Sequence, residues 1–158
     1  MAPRNDKYKR IFEPDKGTLL FVTVFDVDAA DWQRLLDYVS REFLVAYSED
    51  GDQKPLPSAS SILKAREISA VMLEVMLPGF TLNSHLEAAN QIRLDVLPED
   101  VDSDEKAGAV FHLMMSIANA LGKHVFLTPE LGSATDDELR QKALCEAAPK
   151  GAAVQCRI

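Results

Sequence analysis

The chain has 158 residues, of which 47% are hydrophobic and 27% are charged, a composition typical of one globular domain. That balance excludes a chain that is disordered throughout. A formal net charge of −8 disfavours nucleic acid and anionic membrane as partners, and no apolar run approaches the ~20 residues of a membrane-spanning helix. The charged N-terminus has no apolar segment after it, so we expect no secretory signal and a cytoplasmic location.

The charge is unevenly distributed along the chain. Residues 1–16 carry five basic and three acidic groups, and the remainder carries 12 basic and 22 acidic groups. Because residues 1–16 are polar and have no periodic pattern, we expect a flexible N-terminal arm there and a single domain over 17–158. An acidic domain attracts a basic partner, but acidity also favours solubility, so the charge alone fits both explanations.

The first predicted elements are a strand over 18–25 and a long helix after it. The strand has β-branched and aromatic residues on both faces, which is typical of a strand covered on both sides. Asp28 is placed to cap the helix through the free amides of its first turn. The helix has one apolar stripe, formed by Trp32, Leu35, Leu36, Val39 and Phe43.

The middle of the chain predicts two further strands, over 68–77 and 92–96. The second alternates apolar and charged residues, which marks a half-exposed strand. Between the long helix and the first of these strands we expect a loop over 46–61, because it contains Gly51, Pro55 and Pro57. Weaker patterns indicate a short helix over 61–66 and a helical turn over 84–89.

A second long helix is predicted after Asp102 and Glu105, which have the spacing of a capping box. Its buried stripe comprises Ala107, Val110, Phe111, Met114, Ile117, Ala118 and Leu121, and Gly122 is placed to end it. A fourth strand over 124–128, a helix over 136–147 capped by Thr135, and an edge strand over 153–157 complete the predicted elements.

The main elements follow the order β-α-β-β-α-β, which is the order of the ferredoxin-like split βαβ fold. The predicted fold class is therefore α+β, with an extra C-terminal helix. Two helices would cover one face of an antiparallel sheet, yet the first two strands are apolar on both faces. The C-terminal helix, the 46–66 segment or a second subunit is needed to cover the other face.

No catalytic or phosphate-binding motif is present. The GxSxG pattern of a hydrolase nucleophile is absent, and Ser133 in the sequence LGSAT lacks the second glycine. The junction between the first strand and the first long helix has no glycine and carries two aspartates, so it would repel phosphate. We therefore predict no catalytic residue and no cofactor.

Metal-binding patterns are also missing. Asp100, Asp102 and Asp104 alternate as at the start of a calcium loop, but Glu105 stands where the loop needs glycine. The three histidines, His85, His112 and His124, have no metal-ligand spacing. We predict no metal site from the sequence, although a spatial cluster of His112, Glu74 and Asp95 stays open.

Two interpretations stay open for the two cysteines and for Glu74. Cys145 and Cys156 lie eleven positions apart without a CxxC pattern, which predicts two reduced thiols in a cytosolic protein, with a disulfide as the alternative. Glu74 is the one charge in an apolar strand, where a carboxylate is costly unless it is paired or at a surface. Glu74 therefore either faces water near an edge or acts as a site acid or interface contact.

Residues 111–130 form a helix ending in Leu-Gly-Lys, a short strand and Thr-Pro-Glu, within the sequence FHLMMSIANALGKHVFLTPE. This segment resembles parts of small bacterial proteins, some of which are similar to immunity proteins of contact-dependent or secreted toxin systems. The resemblance covers only this segment and brings no functional residues with it. It implies a bacterial origin and a binding role.

Together these observations favour a protein-binding module of the immunity or inhibitor type, rather than an enzyme, that occludes a basic protein partner. The expected contacts are the acidic residues of two loop regions: Glu49, Asp50, Asp52, Asp100, Asp102, Asp104 and Glu105. The alternatives are a small-ligand sensor or regulatory domain that forms a homodimer through its sheet, and an enzyme of unrecognised type that uses Glu74 or a histidine.

Overall fold

A computed structural model describes residues 6–13 and 18–157 of the chain. The helices are α1 (Asp6–Phe12), α2 (Ala29–Glu42), α3 (Ala59–Ala65), α4 (Asp104–Leu121) and α5 (Asp136–Gln141). The strands are β1 (Leu20–Val24), β2 (Leu44–Glu49), β3 (Asp52–Lys54), β4 (Val71–Leu77), β5 (Phe80–Ser84), β6 (Ile92–Val96), β7 (Val125–Pro129), β8 (Cys145–Ala147) and β9 (Gln155–Cys156). A 3₁₀ turn spans Pro98–Asp100. The α+β class predicted from the sequence is confirmed.

The strands form one sheet in the order β3-β2-β4-β5-β6-β1-β7-β8-β9, and each neighbouring pair is antiparallel. β1 lies inside the sheet, where Val22 faces Leu94 of β6 on one side and Leu127 of β7 on the other. The sheet is much larger than the predicted core of four main strands and an edge strand, because it also contains β2, β3, β5 and β8.

Helices α2, α3 and α4 pack on one face of the sheet and bury the main core. Four residues of the predicted α2 stripe are buried: Trp32, Leu35, Leu36 and Val39. The fifth, Phe43, lies just beyond the helix and packs on the core while partly exposed. The Trp32 indole donates a hydrogen bond of 2.8 Å to the Ala89 carbonyl. Asp28 caps the helix as predicted, and the cap is reciprocal because the Asp31 carboxylate accepts from the Asp28 amide. Asp31 is buried in this position, at 4% exposure.

The start of α4 differs from the prediction by one residue. Ser103 caps the helix and its hydroxyl accepts from the Lys106 amide, so the expected capping box of Asp102 and Glu105 does not form. At the other end Gly122 adopts the left-handed conformation, with φ of 65°, as expected for a residue that ends a helix.

Two regions expected to lack strands belong to the sheet. Residues 44–54 form the β2–β3 hairpin rather than a loop, and its turn is Asp50-Gly51, with φ of 51° and 84°. Positive φ at both central residues is the conformation of a type I′ hairpin turn. Residues 80–84 form β5, and residues 85–88 have no regular structure, so the helical turn expected over 84–89 does not occur.

Both ends of the chain also differ from the expected pattern. Residues 6–12 of the predicted flexible arm form α1, in which Ile11 and Phe12 are buried against the core. Residues 1–5 and 14–16 of the arm lie outside the described residues. The last helix ends at Gln141, and residues 145–147 form β8 instead. Cys145 of β8 and Cys156 of β9 face each other and form a disulfide, so the expectation of two reduced thiols is wrong.

The second face of the sheet is covered only in part. The region around α5 contributes Leu139 and Ala143, which pack on Phe25 and Phe126, and the Arg140 guanidinium lies 4.4 Å from the centre of the Phe25 ring. The C-terminal helix thus provides the expected cover over β1 and β7, but it does not reach β2 and β4. No helix among the described residues is long and apolar enough to cross a membrane.

Candidate functional site

The seven acidic residues predicted to bind a partner fall into two groups at opposite ends of the sheet. Glu49, Asp50 and Asp52 lie at the β2–β3 turn, beside the start of β4. The other four, Asp100, Asp102, Asp104 and Glu105, follow β6 and lie at the end where β4 turns into β5, since Lys106 approaches Gly79. The seven acids therefore form two separate groups rather than one surface. We call the first group, at the β2–β3 turn, the hairpin corner, and the second group, before and at the start of α4, the α4 corner.

Three of these carboxylates make contacts within the chain. Glu49 pairs with Lys54 at 3.2 Å, and Asp50 accepts a hydrogen bond of 2.9 Å from the Ala70 amide. Asp102 pairs with Lys106 at 3.0 Å, and this hydrogen bond and the positive charge lower the pKa of the Asp102 carboxyl. Such exposed pairs contribute little to stability, but they neutralise charge that a partner would otherwise meet.

The remaining acids at the two corners have no ion pair with the described residues: Asp52, Asp100, Asp104 and Glu105. Asp104 and Glu105 occupy the first turn of α4, where a negative charge is favoured by the helix dipole. A structural role thus accounts for both of them, and they contribute to a negative field rather than to a built site.

An uncovered apolar area lies on the sheet face opposite the main core. We call it the open face and define it by Leu44, Ala46, Met72, Glu74 and Met76, on the adjacent strands β2 and β4. Leu44 is 75% exposed and pairs across the ladder with Met76, which is 36% exposed. Sequence reasoning missed this area because β2 was expected to be a loop.

Glu74 lies on the open face and is half-buried. It makes no hydrogen bond or ion pair with the described residues. Its cross-strand neighbour is Asn83 of β5, which in turn faces Asp95 of β6. The three polar side chains thus form a row across the sheet. Glu74 also lies beside the exposed apolar residues of the open face, which is consistent with the interface contact considered for it.

Asp95 ends this row in a partly desolvated position. Burial raises the pKa of the Asp95 carboxyl, while the charges of His85 and Arg93 act in the opposite direction. The His85 imidazole lies 3.5 Å from the carboxylate, and the Arg93 guanidinium stacks on Phe21 at 3.9 Å from the ring centre. The space beside these groups is about 10 Å³, room for about one water. His85 and Asp95 thus form an acid–base pair beside a space of this small size.

The remaining polar candidates from the sequence are dispersed. His112 lies on α4, on the helix side of the sheet, whereas Glu74 and Asp95 alternate with core residues and face the other side, so the three do not form a cluster. His124 is bonded to Glu146 at 2.6 Å, and Ser133 is exposed in the turn before α5. Over residues 6–13 and 18–157 there is no group of three side chains that could hold a metal ion.

A groove of about 280 Å³ lies between α4 and the C-terminal residues 153–156. Gly108, Phe111, His112 and Met115 form its α4 wall. These positions have the spacing of one helical stripe. Phe111 was expected in the buried stripe of the same helix, but it is only partly buried and lines the groove, and Leu113 is buried instead.

Comparison with protein-family models, with curated proteins and with solved structures finds no match to this chain. Its function is therefore inferred from the geometry of the chain itself.

Proposed function

We propose that this chain is a protein-binding module of the immunity or inhibitor type, which occludes a basic partner that docks on the open face. The observation that carries the proposal is the pair Leu44 and Met76, which are exposed side by side on the open face. The region around α5 covers the same side of the sheet only over β1 and β7. Burying such residues against a partner is favourable at ~25 cal/mol per Å² of apolar area.

The chemistry of the partner follows from the charge around this surface. Glu74 lies between Met72 and Met76 on the same strand and has no ion pair within the described residues. A lysine or arginine placed over it would gain a charge-assisted contact once water is excluded. The two acidic corners lie at either end of the sheet and would speed the approach of a basic protein without having to contact it.

Two finer statements accompany this proposal. We propose that the centre of the sheet follows the ferredoxin-like split arrangement, which is supported by β1 lying between β6 and β7, the two strands that α4 connects. The cytoplasmic location stays a prediction, and the Cys145–Cys156 disulfide is more typical of an oxidising compartment.

Site-specific photo-cross-linking in a bacterial host tests the proposal. A photoreactive phenylalanine analogue is placed at position 44 on the open face, and in separate variants at position 52 in the hairpin corner and position 104 in the α4 corner. Position 60, exposed on α3, serves as the matched control. Cross-linked species are identified by mass spectrometry.

A single basic protein cross-linked from position 44 and absent from position 60 supports the proposal. Cross-linking of that protein only from position 52 or position 104 would show that it binds at the acidic corners, and would contradict docking on the open face. A cross-linked species of twice the chain mass would show a homodimer instead, and would favour the sensor alternative.

A further inference from the structure

The groove between α4 and the C-terminal residues is a preformed space with an apolar lining. Phe111 and Met115 line one side, and Val154 and Cys156 line the other. The disulfide joins Cys156 to Cys145, which is 1% exposed in the core, so the outer wall is covalently attached to the sheet. Preformed apolar concavities with few polar groups are the usual form of small-molecule sites.

Gly108 is the residue that keeps this groove open. It lies inside α4, where glycine costs roughly 1 kcal/mol relative to alanine. Packing does not require the glycine, because a Cβ built at this position meets no atom within 4 Å. A side chain at position 108 would project into the groove with Phe111 and His112, which lie three and four residues further along the helix.

His112 supplies the polar group of the groove. Its imidazole makes no hydrogen bond or ion pair with the described residues, and a histidine ring can donate or accept. No carboxylate, lysine or arginine side chain among the described residues lines the groove. Its volume of about 280 Å³ lies at the lower end of the ~300–1,000 Å³ typical of ligand pockets.

We infer that the groove binds a small, neutral aromatic molecule that carries one hydrogen-bonding group. The size of the groove sets the upper limit on the ligand, Phe111 and Met115 favour an aromatic ring, and His112 receives the polar group. A cation finds no carboxylate among the described residues of the lining, and an anion meets a chain with net charge −8. This inference is independent of partner docking, because the groove and the open face lie on opposite sides of the sheet.

The probe for the test is N-phenyl-1-naphthylamine, a neutral fluorophore whose emission rises in apolar surroundings and whose amine can hydrogen-bond His112. Its affinity is measured by fluorescence titration of the full chain and three variants. Gly108→Leu fills the groove, His112→Ala removes the polar group, and Ser40→Leu places the same leucine at an exposed position of α2. Circular dichroism establishes that each variant is folded.

We expect saturable binding to the unmodified chain and to Ser40→Leu, and affinity at least about tenfold weaker for Gly108→Leu. Loss of the hydrogen bond in His112→Ala should weaken binding about threefold to tenfold. Should Gly108→Leu not fold, Gly108→Ala, which has room for its methyl group, is expected to weaken binding by a smaller factor. Absence of saturable binding, or equal affinity for the groove variants and Ser40→Leu, would overturn the inference.

Discussion

Leu44 of β2 and Met76 of β4 face each other directly across the antiparallel ladder, and both side chains remain exposed on the open face. The same two strands bury Tyr47 and Leu73, also a directly opposed pair, on the helix side of the sheet. One strand pair therefore presents a packed face to the core and an apolar face to solvent. A binding surface requires such an exposed apolar face, whereas folding alone does not require one.

Replacing Leu44 with threonine should separate binding from stability. Threonine suits a strand, and the leucine is 75% exposed, so the free energy of unfolding should change by less than about 0.5 kcal/mol. Capture of the cross-linked partner should fall clearly. Ile68→Thr is the matched control, because Ile68 is 87% exposed but lies in the turn before β4. Equal loss of capture in both variants would contradict a role specific to the open face.

The hydroxyls of Thr23 and Thr128 form a buried hydrogen bond of 2.9 Å between β1 and β7. Thr23→Val leaves the Thr128 hydroxyl with only a long contact to the Phe21 carbonyl, so we expect a loss of about 1–2 kcal/mol in unfolding free energy. The double variant Thr23→Val/Thr128→Val should lose less than the sum of the single variants. Additive losses in urea denaturation would show that the pair does not act as a unit.

Asp95 should make the unfolding free energy of the chain depend on pH, in a direction set by its raised pKa. Burial raises the pKa of Asp95 in the folded state above its ordinary value of 3.8, so the folded chain holds this proton more tightly than the unfolded chain. Its charged form therefore opposes folding at neutral pH, and that penalty disappears as the pH falls through the raised pKa toward 3.8.

Asp95→Asn removes this titration and retains a polar side chain of the same shape. The unfolding free energy of the variant minus that of the parent chain should be most positive at neutral pH and should decrease on acidification. Urea denaturation of both chains at several pH values measures the difference. A difference that stays constant across the range would show that Asp95 is not desolvated.

The disulfide leads to a prediction about both chemistry and stability. The chain contains two cysteines, so unreduced protein unfolded in denaturant should show no reactive thiol. Cys145 and Cys156 are eleven residues apart, and closing a loop of that size contributes about 2–3 kcal/mol. Cys145→Ala/Cys156→Ala should lose about that amount, and a reductant should then have no further effect. Two reactive thiols in the untreated protein would contradict the pairing.

The sequence predicted the interior elements well, because their signals are local. The apolar stripe of α2, the glycine that ends α4 and the alternation of β6 each follow from spacing alone. Helix capping was harder at Ser103, since Asp102 beside it is an equally good cap residue and only the backbone geometry decides between them.

The errors concern strands that depend on pairing with distant residues. Asp50-Gly51 is a strong hairpin signal, but the nearby prolines outweighed it in predicting a loop. β5 was missed because its third inward position is Ser84, a polar residue that is 1% exposed and breaks the apolar alternation. The row of Glu74, Asn83 and Asp95 depends on the register of three strands, and the residue pattern of one sequence does not reveal that register.

Methionine methyl NMR tests the docking surface most directly, because the chain carries labels on both sides of the sheet. Met72 and Met76 lie on the open face, whereas Met114 is buried in α4. When the cross-linked partner is added to the methyl-labelled chain, the signals of Met72 and Met76 should shift while that of Met114 stays unchanged. Shifts confined to the α4 methionines, with Met72 and Met76 unmoved, would contradict binding through the open face.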